Sequence, residues 1–186
     1  MSDELNKHDH EDDAAESVDD DREFLADVRK AAGWRVSPRH LDVAMIALDE
    51  VGEEPDTQRI AGIVTAFRGD GSKRQKRNPD LWRLLGAQLA VRGKPADPEA
   101  QLAFVGRAKA LADEDVTDSD LLLVATALGS ANHPLTPEMT ADATVWIVDT
   151  VGPNFDAEEL DDRLDQAVEA AMADRAERAN RRRKQS

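Results

Sequence analysis

The sequence predicts an all-α protein: a compact orthogonal bundle of about seven or eight helices, with a long C-terminal helix and a disordered acidic N-terminal arm. Three observations predict it. A Ser, Thr, Asp or Asn stands directly before Pro four times, at Ser37-Pro38, Asn78-Pro79, Asp97-Pro98 and Thr136-Pro137. Proline suits the first helical turn, where its missing N–H would be unpaired anyway, and the polar residue before it caps the free amides. Gly follows many apolar runs, at Gly33, Gly52, Gly69, Gly93, Gly129 and Gly152, and it tolerates the left-handed conformation that ends a helix. Apolar residues recur at i, i+3 and i+4, and no period-2 alternation marks a strand.

Each element follows in order. Residues 1–21 hold ten acids and one Lys, a net of −9, with five apolar residues; such a stretch stays disordered. The first helix spans about 21–32, with an Asp20/Glu23 capping box and an inner face of Phe24, Leu25, Val28 and Ala32. The second, 38–51, carries Leu41, Ala44, Met45, Leu48 and Val51 on one stripe, and the third, 57–68, carries Ile60, Ile63, Val64 and Phe67. The fourth, 79–92, presents Leu81, Leu84, Leu85, Leu89 and Val91; the fifth, 98–113, presents Leu102, Phe104, Val105, Ala108 and Leu111. The sixth, 118–128, contains the run Leu121 to Val124, and the seventh, 137–151, contains Met139, Ala143, Trp146, Ile147 and Val151. The eighth is capped by Asp156 with Glu159 and runs from about 157 toward 183 on Leu160, Leu164, Val168, Ala171 and Met172. A continuous helix of that length would span about 42 Å, so its last turns extend past a small domain. Residues 22–173 form the helical domain, and 174–186 form a basic helix end or tail.

Composition narrows the function. The chain has no Cys, which excludes disulfides, thiolate nucleophiles and Cys-ligated metals. No apolar stretch has transmembrane length, and the acidic N-terminus is no secretory signal; a cytoplasmic protein without a membrane partner is expected. No GxSxG, HExxH or phosphate-cradling Gly motif is present. His8, Asp9 and His10 offer metal-donor types without a fixed geometry, and His40 and His133 stand apart. No enzyme activity, cofactor or metal is expected.

The net charge of −15 is unevenly distributed. Residues 68–83 hold six bases and two acids, and 174–186 hold six bases and two acids, a net of +4 each. The candidate partner- or phosphate-binding residues are therefore Arg68, Lys73, Arg74, Lys76, Arg77 and Arg83 in the loop, and Arg181, Arg182, Arg183 and Lys184 in the tail. Lys and Arg contact phosphates by releasing counterions, and they equally suit an acidic protein surface. The Arg68-Gly-Asp70 triplet is read as chance. Helices one to three resemble a helix-turn-helix layout, but Glu53, Glu54 and Asp56 in its turn would face phosphates. Trp34 and Trp82 stand beside Arg35 and Arg83, and core packing is the commoner role for Trp34, Trp82 and Trp146. The sequence thus points to a non-enzymatic adaptor that docks a protein partner, of a size and layout that suit an assembly factor of a virus or mobile element. The alternative is a nucleic-acid-binding regulator that uses the basic loop and tail. Opposite charges at the two ends also suit homo-oligomers.

Overall fold

The computed structural model describes residues 22–69, 71–153 and 155–185, and for Arg182, Lys184 and Gln185 the backbone alone. The expected arm 1–21, with Asp20 and the His8-Asp9-His10 group, lies outside the described residues. The described residues form nine α-helices, one 3-10 turn and no strand. They are α1 (22–32), α2 (Pro38–Asp49), α3 (Thr57–Ala66), the turn Gln75–Arg77, α4 (Pro79–Val91), α5 (Pro98–Leu111), α6 (Asp118–Ser130), α7 (Pro137–Val151), α8 (Ala157–Asp161) and α9 (Leu164–Gln185). No helix among the described residues is long and apolar enough to cross a membrane.

The caps explain most boundaries. Asp56 accepts from the Gln58 and Arg59 amides, Asp97 from Glu99 and Ala100, and Thr136 from Met139. Thr117/Asp120 and Asp156/Glu159 form capping boxes. Ser37 and Asn78 precede their prolines as expected but do not cap. The Ser37 hydroxyl is hydrogen-bonded to His40 Nδ1 at 2.6 Å, and Asn78 Nδ2 donates to Ser119 Oγ at 3.1 Å. Gly129 is not a stop either. α6 continues to Ser130, and Asn132 takes the left-handed position at φ 54°.

The single long final helix expected from the sequence is two helices. α8 is one turn, and the Arg163 N–H then donates to the closer i−3 carbonyl, Leu160 O, at 3.0 Å. Asp161 and Asp162 sit at this joint, and aspartate is a weak helix-interior residue because its side chain competes for backbone amides. Leu160 and Leu164, on either side of the break, are 1% and 4% exposed and both lie in the core.

Helix α4 packs against α2, α3, α5 and α6; α7 packs against α5, α6 and α9. The core has two parts. The larger joins Val28, Leu48, Ile60, Val64, Leu85, Val105 and Leu121 from the first six helices. The second joins Val124, Leu128, Ile147, Phe155, Leu160, Leu164 and Val168 from α6 to α9. Three expected core residues are instead exposed: Met45 at 39%, Leu111 at 56% and Met172 at 56%. On α2 the alanines Ala44 and Ala47, both fully buried, make the contact and bring the backbone close.

A buried amide sits where α2, α4 and α6 meet. Gln88 is fully buried, and its Nε2 donates to Glu50 Oε2 at 2.9 Å, Thr126 O at 3.0 Å and Ser130 Oγ at 3.2 Å. Its side chain lies flat on Gly129, where an added Cβ would come within 2.3 Å of Gln88 Cδ. Arg92 donates to the carbonyls of Gln88 and Gly129 at 2.9 and 2.8 Å. Gly129→Ala should therefore lower unfolding free energy by about 1–3 kcal/mol through overpacking. Gly62→Ala, in the middle of α3 with open space around it, should raise it by about 0.5–1 kcal/mol. Urea unfolding followed by circular dichroism measures both.

Candidate functional site

The basic loop gathers at one end of the bundle. α1 stops at Gly33, whose φ of 71° turns the chain and presents Trp34. Arg29 Nε closes this turn on Val36 O at 2.8 Å. His40, in the first turn of α2, stacks on Phe67 at 5.7 Å and meets Trp34 edge-on at 5.3 Å. The Arg68 guanidinium lies over the Trp34 ring at 4.9 Å, a cation–π contact. Trp34 Nε1 donates to Thr65 Oγ1 at 3.4 Å. Trp34 is half-buried under a cation, whereas Trp82 is a core residue at 3% exposure.

The loop after Arg68 is pinned by a buried glutamine. Gln75 is 4% exposed. Its Oε1 accepts from Ser72 N at 2.8 Å, and its Nε2 donates to Pro98 O at 3.1 Å and Gln101 Oε1 at 3.2 Å. Gln101 Nε2 in turn donates to Ala96 O at 2.7 Å. Gly86 on α4 makes room, since a Cβ there would lie 2.4 Å from Gln101 Nε2 and 2.7 Å from Phe67 Cβ. The loop therefore holds a set conformation between α4 and α5.

The six loop cations divide into two groups. Arg74 forms an ion pair with Asp118 on α6. Arg83 pairs with Asp80 at 2.8 Å, and Arg68 rests on Trp34. Lys73, Lys76 and Arg77 are exposed and carry no ion pair with a described residue. The fold adds one exposed cation that the sequence does not single out, Arg39, which reaches Asp80 at 4.0 Å. Arg35, beside Trp34, is exposed as well. The only sequence signal for Arg39 is its position just after Ser37-Pro38.

The tail cations lie elsewhere. Arg181 pairs with Glu177 at 2.6 Å, and Arg183 is exposed. The Arg182 and Lys184 side chains lie outside the described set. α9 packs on α7 and α6. Arg175 and Arg178 bind Asp142 of α7 at 2.8 and 3.6 Å. Beside them lies an open groove of about 700 Å³ with Leu111, Glu138 and Ala179 in its walls. On α3, the exposed Arg59 is held by Glu53, so the helix-turn-helix segment offers no second group of unpaired bases among the described residues. No three His, Cys, Asp or Glu side chains among the described residues are placed to hold a metal ion.

No protein-family model matches this chain, and no curated protein or solved structure matches it.

Burial lowers the His40 pKa, and the Arg83 charge lowers it further. The unfolded chain thus takes up this proton at a higher pH than the folded one. The stability that rests on the neutral ring is complete above the ordinary value of 6.5 and is lost as pH falls toward the lowered folded value. Urea midpoints should drop between about pH 7.5 and about pH 5.5, and His40→Gln should flatten that drop. Gln75→Ala should free the loop. Trypsin cleavage at 73–77, read by mass spectrometry, should then rise about fivefold or more over wild type.

Proposed function

We propose that this protein is a non-enzymatic helical adaptor that docks an acidic partner protein through the cationic face around residues 68–77. The observation that supports this reading is the buried Gln75 pin. A solvated loop needs no such anchor. With the loop anchored this way, Lys73, Lys76 and Arg77 form no ion pair with a described residue, and less loop ordering is left to be done on binding. Trp34 beneath Arg68 adds an aromatic element of the kind enriched at interfaces.

A protein partner fits the electrostatics better than a duplex does. Asp80 and Asp118 sit among the bases, and the chain's net charge of −15 repels a polyanion at long range. Local pairs act within about 8 Å at physiological salt, so an acidic patch of limited size meets the face without the full field. Nucleic-acid binding remains the second reading, favoured by the unpaired Lys73, Lys76 and Arg77.

The two are separated by one variant, Lys73→Glu with Lys76→Glu and Arg77→Glu. Wild type should retain a protein partner from its native host in a salt-sensitive way, and the variant should lose it while its thermal melt is unchanged. Equal retention by both would sink the adaptor reading. Fluorescence anisotropy at about 50 mM salt with duplex DNA and single-stranded RNA tests the alternative, which requires binding whose log–log salt slope shrinks by about 0.9 for each cation removed.

A further inference from the structure

We propose that the outer flank of α9 pairs with α9 of a second copy of this chain, antiparallel and about a twofold axis. One flank of α9 is packed: Leu164, Ala167, Val168 and Ala171 are buried, and Arg175 and Arg178 are tied to Asp142. Another flank carries Asp165, Glu169, Met172, Ala176, Ala179 and Arg183, all exposed. Their spacing is 4, 3, 4, 3, 4, the repeat that keeps one stripe facing a partner helix. Met172, at 56% exposure, is the large apolar residue of this stripe, and the bundle leaves it uncovered.

Charge chooses the partner and the direction. Residues 164–174 hold three acids and no base, whereas 175–185 hold six bases and one acid. An antiparallel copy sets the acidic half of each helix against the basic half of the other, while a parallel copy would set like on like. In one register every position finds a suitable mate. Asp165 faces Arg183, Glu169 faces Ala179, and Met172 faces Ala176 of the second copy, each contact occurring twice by symmetry. The alanines permit close approach, and the flexible Met172 side chain fills the space they leave. Asp165 also meets His133 Nε2 at 3.1 Å, yet its side chain is 89% exposed and keeps room for a cation.

The overall charge of −15 opposes association, but at about 0.15 M salt it is screened beyond about 8 Å, whereas pairs in contact persist. One helix pair is a small interface, so the dimer should form at roughly tens to hundreds of micromolar.

Sedimentation equilibrium of the full chain from about 10 to about 500 µM, at about 0.15 M salt, tests this. Wild type should show a reversible monomer–dimer equilibrium. Met172→Glu should abolish it. Asp165→Arg and Arg183→Glu should each weaken it roughly tenfold, since each turns two attractive pairs repulsive. The double variant, or an equimolar mixture of the two single variants, should restore it; weakening by each single variant together with restoration by the double variant identifies the antiparallel register. All three positions are exposed, and unchanged thermal melts confirm that the variants fold. A monomer at every concentration, or a dimer indifferent to Met172→Glu and to the charge reversals, overturns the proposal.

Discussion

The amide of Gln88 lying flat on Gly129 is the contact from which the arrangement of the first six helices follows. A buried amide without partners is unfavourable by about 1–3 kcal/mol, so α4 must sit where Thr126 O, Glu50 and Ser130 meet its Nε2. That fixes the depth and rotation of α4 against α2 and α6 together. Two residues toward the N-terminus lies Gly86 on α4, which admits Phe67 from the end of α3 and Gln101 from α5. Farther on lies Trp82, buried at the base of the 68–77 loop. One helix therefore sets, in sequence, the bundle interior, the end of α3 and the seat of the loop.

Much of this was legible in the sequence because it is local. Proline at a first turn, a polar residue before it and a 3.6-residue period are properties of neighbouring residues, and they locate the helices up to α7 to within a few positions. What was not legible depends on what lies across the bundle. Met45, Leu111 and Met172 carry the same periodic signal as their buried neighbours and are exposed only because no helix covers them. Gly129 has the sequence character of a stop but serves as the seat of a glutamine forty-one positions earlier. The joint at Asp162 interrupts a stretch whose apolar spacing, Leu160, Leu164 and Val168, is continuous. At the candidate site, the cations themselves were visible as a charge island, and Trp34 and Trp82 were noted beside arginines. The buried Gln75–Gln101 pair was not, since a glutamine between Arg74 and Lys76 reads as one more polar loop residue.

Net charge is a poor guide to this surface. The same chain carries a long-range field that repels anions and a face on which three cations form no ion pair with a described residue. The two act at different distances. The field governs the approach of large polyanions, and the face governs what happens within a few ångströms. The Gln75 hydrogen bonds tie the loop to α5, and the aromatic contacts of Trp34, His40 and Phe67 join the end of α3 to the start of α2.

The division of the core into two parts has a consequence for how the molecule breathes. α8 and α9 contribute only to the second core, through Leu160, Leu164, Val168 and Ala171, whereas α6 and α7 serve both. Lifting the C-terminal pair uncovers one side of α6 and α7 and leaves the Gln88 junction intact. Amide exchange in α9 then proceeds through a cheaper opening than in α4, so the molecule has a graded native state in place of a single all-or-none barrier. The layer that opens first is the one with the uncovered Met172 flank. Any molecule that settles on that flank suppresses the opening in proportion to its concentration, and occupancy there becomes readable as slowed exchange deep in the second core.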